Sequence, residues 1–452
     1  MTRDWWMSRE TGAEWWRPDA VALTQVQAGW PAVAPIPVAA SPVPFWAVMG
    51  FTFILLFAPQ SYVPALASFR IALIAALIGI VAYLYDRFIH GRPLMMRVRE
   101  MWITAYLVGW AVLTIPFSSW PGGSLSFLLD QYFKTLTIFW LLSHTVVTVA
   151  RLRHVAWGLS LMAVGLAAMA AANFLSGTFM AESSLLPRLV GNNAALTKNP
   201  NDLALMINLI LPLSVALFLI HREPLARALL LGAILLELVT VIITYSRAGF
   251  LTLAATFTIY LWKLRNRPER SWAWSALLVA FLCVPLLPSS YFDRLSTITD
   301  IKADQTGSAQ ERWNDTAAAF NYVLAHPIVG GGVGMNTLAL NEARGVAWRV
   351  VHNVYLEYAV DLGVPGLTLF LLLLIGCVKS VMCVQRSTAR VTALRDLFLL
   401  AEGIQVSLVA FAVAGPFHPV SYNFYFYYVA GLAVAAKAVY QTSVGQLAPD
   451  RR

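Results

Sequence analysis

The chain has 452 residues, of which 59% are apolar and 12% are charged, and its net charge is +9. A soluble domain carries roughly twice that charged fraction, so this composition excludes an ordinary soluble protein. The apolar runs are many, and several are long enough to cross a bilayer as helices, which predicts an all-α membrane protein with many spans. The positive charge does not indicate a nucleic-acid partner, because most basic residues flank apolar runs.

In chain order, a tail comes first, then a membrane domain, then a second tail. Residues 1–44 are not a secretory signal, since no basic segment precedes an apolar core, and they are predicted to be a cytoplasmic tail. Residues 45–441 are predicted to be the transmembrane domain and residues 442–452 a cytoplasmic tail. Hydropathy predicts about twelve spans. The predicted spans are 45–65, 67–85, 101–117, 127–149, 155–175, 201–220, 228–245, 249–262, 272–288, 364–384, 396–415 and 424–441.

Basic residues follow every second predicted span, which sets the orientation. The basic segments are 87–99, 151–153, 222–227, 263–270 and 379–395. Positive charge favours the cytoplasmic side, so both termini are predicted there. The opposite, periplasmic side then receives residues 118–126, 176–200, 246–249, 289–363 and 416–423.

The long periplasmic loop at 289–363 is predicted to contain short helices. Ser308 and Glu311 form an S-x-x-E capping pattern at a helix start. One apolar face follows at helical spacing, and Arg312 lies off that face. Its residues are Trp313, Ala317, Phe320 and Leu324. The glycines at 330–334 predict a turn, and a second helix is predicted from near Val351 to a break at 363–365.

Three periplasmic side chains could carry chemistry. Arg247 lies in the tight turn between the seventh and eighth spans, where a guanidinium needs a partner or extends to lipid headgroups. Arg312 taken alone is better explained by a solvated helix face beside Glu311 and Asp315, because surface ion pairs on helices are common and weak. His352 begins a helix at the membrane surface and can accept a proton near neutral pH, although a lone histidine is more often structural.

Other polar residues receive a simpler interpretation. His326 and His418 each precede a proline and are interpreted as structural. The glycine-rich turn lacks the Lys-Ser/Thr ending of a phosphate-binding loop, and the sequence shows no paired-aspartate metal motif on this side. Glu237, Glu402 and Lys437 fall inside predicted spans, which keeps a transporter or flippase as the alternative function. An internal repeat, common in transporters, is not visible.

Four segments together resemble the O-antigen ligase family of bacterial membrane glycosyltransferases, which includes polysaccharide ligases, Wzy-type polymerases and protein O-glycosylation ligases. The segments are TKNPNDLALMINLILPL, TYSRAGFLTL, QERWNDTAAAFNYVLAHPIVGGGVGMN and HNVYLEYAVDLGVPGL. The resemblance is clearest over residues 199–366 and extends loosely over most of the chain, except for the tail at 1–44.

The resemblance implies a metal-independent glycosyltransferase without a cofactor, in the bacterial inner membrane. Arg247 and Arg312 would hold the diphosphate of an undecaprenyl-linked glycan, and His352 would act at the acceptor. Asn201 would contact substrate or cap its helix. The acceptor, which would be a glycan, lipid A–core or a protein hydroxyl, stays open, and so does the choice between ligase and polymerase.

Overall fold

The computed structural model describes residues 41–66, 68–91, 94, 98–179, 189, 191, 194, 196–286, 292, 308–341 and 348–447. The first 40 residues, most of the first part of the long loop and the last five residues lie outside this set. The described residues fold into helices. These are α1 (Val43–Phe57), α2 (Ile71–Ile89), α3 (Arg99–Thr114), α4 (Pro121–Phe127), α5 (Phe133–Thr145), α6 (Val149–Leu175), α7 (Pro200–Ile220), α8 (Pro224–Ile243), α9 (Arg247–Leu264), α10 (Arg270–Cys283), α11 (Ser308–Ala325), α12 (Asn336–Ala339), α13 (Val354–Thr388), α14 (Arg395–Ala414) and α15 (Phe424–Leu447).

Seven helical segments within the described ranges are long and apolar enough to cross a membrane. They are Ile71–Ile89, Arg99–Phe117, Val149–Leu175, Pro200–Ile220, Pro224–Ile243, Val354–Thr388 and Thr392–Phe417. Helices also lie at the other five predicted positions, but the count of twelve spans stays a prediction. The fourth predicted span, at 127–149, begins with a wider π-type turn at Leu128–Tyr132, and α5 follows it. The seven-residue helix before that turn, α4, lies outside the predicted span except for Phe127.

One end of the bundle gathers basic residues, and we call it the basic end. Arg395, at the start of α14, donates to the carbonyl of Leu219 at the end of α7 (2.7 Å). Arg153 of α6 pairs with Asp396 (3.4 Å). The starts of α6 and α14 therefore lie beside the end of α7, as alternating spans require. The starts of α7 and α9 and the end of α14 lie at the opposite end, which we call the loop end.

A buried ion cluster joins α9 and α14 near the basic end. Arg267 follows α9 and donates to both carboxylate oxygens of Glu402 (2.8 and 2.7 Å). Lys263 approaches the same carboxylate (3.3 Å). All three side chains are largely buried, so the removal of one partner would leave an uncompensated charge, at a cost of about 3–5 kcal/mol.

The other two charges within predicted spans also have partners on neighbouring helices. Ser214 of α7 donates to the carboxyl group of Glu237 on α8 (2.8 Å). Lys437 of α15 lies 3.6 Å from Glu100 of α3. These contacts tie helices together, and they give the charges a structural role. The transporter alternative, which these charges motivated, is therefore not favoured.

The glycine-rich turn at 330–334 is held between the end of α3 and the first half of α13. Gly331 accepts from the backbone amide of Ser119 (2.8 Å) and donates to Val360 (2.7 Å). Gly332 donates to the carbonyl of Asp361 (2.8 Å). A Cβ on Gly332 would collide with Ser118, and its φ of +99° disfavours other residues. The predicted turn thus docks the long loop onto the end of α3 and the first half of α13.

The helix predicted to start near Val351 begins at Val354 and breaks where expected. Asn353 caps it, because its side chain accepts from the amides of Tyr355 (3.0 Å) and Leu356 (3.2 Å). Gly363 interrupts the helix with φ 68° and ψ −173°. The amide of Val364 donates to the carbonyl of Pro327 instead (2.8 Å). The loop is therefore bonded to α13 at the point where its apolar half begins.

Helix α11 begins at Ser308, as the capping pattern predicts. Its buried side, however, is formed by Asp315 and Ala319, with Tyr322 and Val323 partly buried on the same side. Ala319 is fully buried against Leu340, Val351 and Val360. The predicted apolar face lies on the exposed side of the helix. Sequence periodicity identified that face but not what it contacts.

Candidate functional site

Two helix starts meet at the loop end of the bundle. The side-chain amide of Asn208 in α7 donates to the carbonyls of Ala204 (2.8 Å) and Gly249 (3.1 Å). A Cβ on Gly249 would press against the Cβ of Ala204, so α7 and α9 are nearly in backbone contact. Asn201 and Arg247 lie one turn or less above these contacts. Unpaired amides and the helix dipole make such a surface favourable for an anion.

The α8–α9 turn presents Arg247 as the first residue of α9. Tyr245 takes a left-handed conformation with φ 51°, which reverses the chain within two residues. Ser246 then caps α9, since its hydroxyl accepts from the amide of Gly249 (3.1 Å). Arg247 is half-buried at this turn. The tight turn expected from the sequence is present, and it places a guanidinium at the loop end.

The cap of α7 is Asn199 rather than Asn201. The side-chain oxygen of Asn199 accepts from the backbone amide of Asn201 (2.9 Å), and Pro200 occupies the first helical position. The capping role considered for Asn201 therefore belongs to Asn199. The Asn201 side chain is half-buried at the same surface.

His352 lies beside Arg312 and Asp315 of α11. Burial lowers the pKa of His352 from its ordinary 6.5, and the Arg312 charge lowers it further. The Asp315 carboxylate opposes this shift and raises the pKa of His352. The buried Nδ1 of His352 has no well-formed hydrogen bond within the described residues. The imidazole is therefore neutral at pH 7, which is the form that accepts a proton.

His418 also belongs to this neighbourhood, although the sequence interpretation treated it as only structural. It is buried, and its ring nitrogens face the carbonyls of Ala414 (Nδ1, 3.0 Å) and Asn201 (Nε2, 3.3 Å). Burial lowers the pKa of His418, and the Arg312 charge acts in the same direction. His418 thus links the end of α14 to the start of α7. These partners are distant in sequence, so only the His-Pro pair hinted at a constrained position.

Electrostatic interactions and one side-chain contact connect three of the predicted residues. The charge of Arg312 acts on both His352 and His418, and His418 faces the carbonyl of Asn201. Arg247 begins the neighbouring helix α9, which packs against α7 near Asn201. The loop end thus presents two guanidiniums, an imidazole and two helix N-termini. Such a set can bind a phosphate-type anion and remove a proton from a hydroxyl.

A buried carboxyl group, Asp361, organises the chain next to His352. Its Oδ2 accepts from the amide of Gly334 (3.0 Å) and faces the side-chain amide of Asn336 (3.5 Å). The side-chain oxygen of Asn336 in turn accepts from the amide of Val351 (3.3 Å). The backbone immediately before His352 is therefore tied to α13. Asp361 was not predicted as a functional residue, although an acidic residue beside an apolar span indicates a constrained position.

Comparison with known protein families supports this location. Residues 228–371 match the family model described as O-Antigen ligase. The match contains Arg247, Arg312 and His352 and ends within α13, whereas Asn201 and His418 lie outside it. A search of proteins with curated descriptions finds no significant match. Over residues 228–371 the chain is therefore similar to the O-antigen ligase family, and the resemblance drawn from the sequence motifs is confirmed.

Proposed function

We propose that this protein transfers a glycan from an undecaprenyl-diphosphate carrier to an acceptor hydroxyl at the periplasmic face of the bacterial inner membrane. The observation that carries the proposal is the electrostatic coupling of His352, whose pKa is lowered, to Arg312 at the loop end, inside the region that matches the O-antigen ligase family. That family supports glycan transfer of the ligase or polymerase type. The lipid donor, the periplasmic side and the residue roles are our inference.

The diphosphate of the donor suits the charge of this region. When the glycan is transferred, the diphosphate leaves as an anion. Arg247 and Arg312 would stabilise that charge through the paired N–H donors of their guanidinium groups. The adjacent starts of α7 and α9 would add favourable helix dipoles. No metal is required in this scheme, because the two arginines supply the positive charge.

His352 would act as the general base toward the acceptor. Its imidazole would take the proton of the acceptor hydroxyl while the hydroxyl oxygen attacks the anomeric carbon. The bond between that carbon and the diphosphate oxygen would break, and undecaprenyl diphosphate would leave. A single direct displacement inverts the anomeric centre. A positioned general base contributes about a hundred- to ten-thousand-fold in rate.

The histidine role has a matched control on the same loop. His326 is exposed and stacks on Tyr322 with ring centroids 4.3 Å apart. We expect His352→Ala to lower transfer from lipid-linked glycan by about a hundredfold or more, the range for a lost general base. His326→Ala should transfer at close to the normal rate. Near-normal transfer by membrane-inserted His352→Ala would exclude the base role.

The arginine roles can be tested in the same assay. Arg247→Ala and Arg312→Ala should each lower transfer by about a hundred- to a thousandfold, as for the loss of one electrostatic donor. Arg349 is the control, because it is exposed and its pair with Glu311 (2.8 Å) is a surface ion pair of little energetic weight. If Arg349→Ala lost as much activity as the other two, general loss of positive charge would explain the result.

The acceptor class can be read from the glycan of a deletion strain. A ligase acts after polymerisation, so its loss should leave full-length polymer on the lipid carrier. A polymerase acts earlier, so its loss should leave single repeat units attached to their final acceptor. Normal glycan in the deletion strain would contradict both forms of the proposal.

A further inference from the structure

Helix α11 exposes large apolar side chains. Trp313, Phe320 and Leu324 are 63%, 56% and 64% exposed, and Ile328, just beyond the helix end, is 62% exposed. The first three recur at helical spacing, so they form one continuous strip along the helix. We call these four residues the apolar strip. Such a strip on a helix within a membrane protein calls for an apolar neighbour.

The other sides of α11 are different. Ala319 and Asp315 face the protein and are buried. Asn314 and Asn321 are exposed on a polar side, about a quarter turn from the apolar strip. The helix therefore has a protein side, a water side and an apolar side. This division is typical of a helix at a boundary between protein, water and lipid.

The C-terminal end of the apolar strip lies where membrane helices emerge. The carbonyl of Pro327, beside Ile328, accepts from the amide of Val364 (2.8 Å). Val364 is itself 48% exposed and begins the apolar half of α13, which also exposes Leu372 and Ile375. The apolar strip thus continues into the exposed apolar face of a membrane span.

The N-terminal end of the apolar strip lies at a similar level. Glu311, two residues before Trp313, pairs with Arg349 (2.8 Å), five residues before the α13 span begins at Val354. The charge of Arg312 also acts on His418, which directly follows the span ending at Phe417. His418 contacts Asn201 at the start of the α7 span. Helix α11 has 18 residues and is about 27 Å long. An upright helix of that length would carry one end far from the bilayer, whereas both ends of α11 lie beside span ends.

We propose that α11 lies in the surface of the membrane, with the apolar strip inserted at the boundary between lipid headgroups and acyl chains. Tryptophan is favoured at this depth, and Trp313 lies at the end of the strip. Trp348 adds a second exposed tryptophan near the same end, because Arg349 pairs with Glu311 of α11. The occupant of the apolar strip is therefore lipid, in continuity with the lipid-facing side of α13.

This placement has a consequence for the site, which rests on the proposed function. With the apolar strip in lipid, Arg312 on the adjoining side of α11 is held at headgroup depth. The diphosphate of a polyprenyl carrier lies at the same depth. The membrane would then fix the depth of the Arg312 guanidinium relative to the lipid headgroups, and the fold of the loop would fix the side of α11 from which it extends.

Spin labelling of neighbouring residues tests the placement without an activity assay. Phe320→Cys and Asn321→Cys are adjacent in sequence but lie on the apolar and polar sides. Each is made in the full chain with the three native cysteines replaced by alanine, labelled with a nitroxide and placed in phospholipid nanodiscs. We expect the label at 320 to collide preferentially with oxygen, which concentrates in lipid, and the label at 321 with a water-soluble nickel complex.

The pair of accessibilities decides the outcome. Preference for the nickel complex at both positions would overturn the proposal, because the helix would then stand in water. Shielding of position 320 from both reagents would also overturn it, since a protein surface would cover the strip. Leu324→Cys, about one turn from position 320, and Asn314→Cys, about two turns from position 321, repeat the comparison, which guards against a local effect of one substitution. Because the readout is accessibility, it is independent of whether the chain transfers glycans.

Discussion

Replacement of Asp361 by alanine should loosen the chain around His352 while leaving the membrane bundle assembled. Asp361 is fully buried and accepts from the amide of Gly334 (3.0 Å), with the amide group of Asn336 at 3.5 Å. Asn336 then holds the amide of Val351 (3.3 Å). Alanine removes the acceptor at the centre of this network and offers nothing in its place.

The expected cost follows from the groups left without a partner. A buried donor that loses its acceptor costs about 1–3 kcal/mol, which applies in full to the amide of Gly334. The contact with Asn336 is long and adds about 1 kcal/mol at most. We therefore expect Asp361→Ala to lower the free energy of unfolding by about 1–4 kcal/mol. Asp361→Asn keeps a carbonyl oxygen toward Gly334 and should cost about 1 kcal/mol or less.

Denaturant unfolding in micelles measures the stability, and the glycan-transfer assay measures the site. Asp361→Ala should lose transfer activity even at temperatures where it remains folded, because His352 is no longer held. Asp361→Asn should recover most of both properties. Wild-type stability and transfer in Asp361→Ala would refute the role of Asp361 in holding the chain around His352. Equal damage from alanine and asparagine would show that the negative charge, rather than the acceptor, is what matters.

Two further predictions concern the docking turn and the histidine. Gly332→Ala should lower the free energy of unfolding by about 2–6 kcal/mol, because backbone strain adds to a collision with Ser118. Gly177 also has a positive φ, but its nearest neighbour is 4.0 Å away, so Gly177→Ala should cost only about 1–3 kcal/mol. Equal costs for the two variants would contradict the role of the turn at 330–334 in docking the loop. Because the pKa of His352 is lowered from 6.5, the rate of transfer should fall only at a pH below 6.5. Asp315→Asn removes a charge that raises this pKa, so the acid limb of the pH–rate profile should move to a still lower pH. A shift of the acid limb to higher pH would contradict the assignment of His352 as the base.

The features that were predicted correctly depend on local signals. The start of α11 follows from Ser308 and Glu311, and the break in α13 follows from Gly363 and Pro365, because capping and chain-breaking act within a few residues. The tight turn before Arg247 could be predicted because the apolar runs on its two sides leave only a few residues between them. Each of these signals is complete within one segment of sequence.

The features that were missed depend on contacts between distant segments. His418 reaches Asn201 across more than two hundred residues, and Asp361 organises a turn that precedes it. The π-type turn at Leu128–Tyr132, at the start of the fourth predicted span, was not predicted, because hydropathy reports side-chain polarity and not the backbone hydrogen-bond pattern. The apolar face of α11 was visible in the sequence, but only the structure shows that small Ala319 takes the protein side instead.

The break at Gly363 also defines where the long loop can be exchanged between related proteins. The polar sequence ends near His352, although the tenth span is predicted to begin only at residue 364. The backbone of the loop, however, bonds to Val360, Asp361 and Val364, all of which lie beyond His352. The first half of α13 is therefore an integral part of the loop. A chimaera intended to change the acceptor should therefore join its two parents after Val364, so that the loop and the helix residues it bonds to come from the same parent.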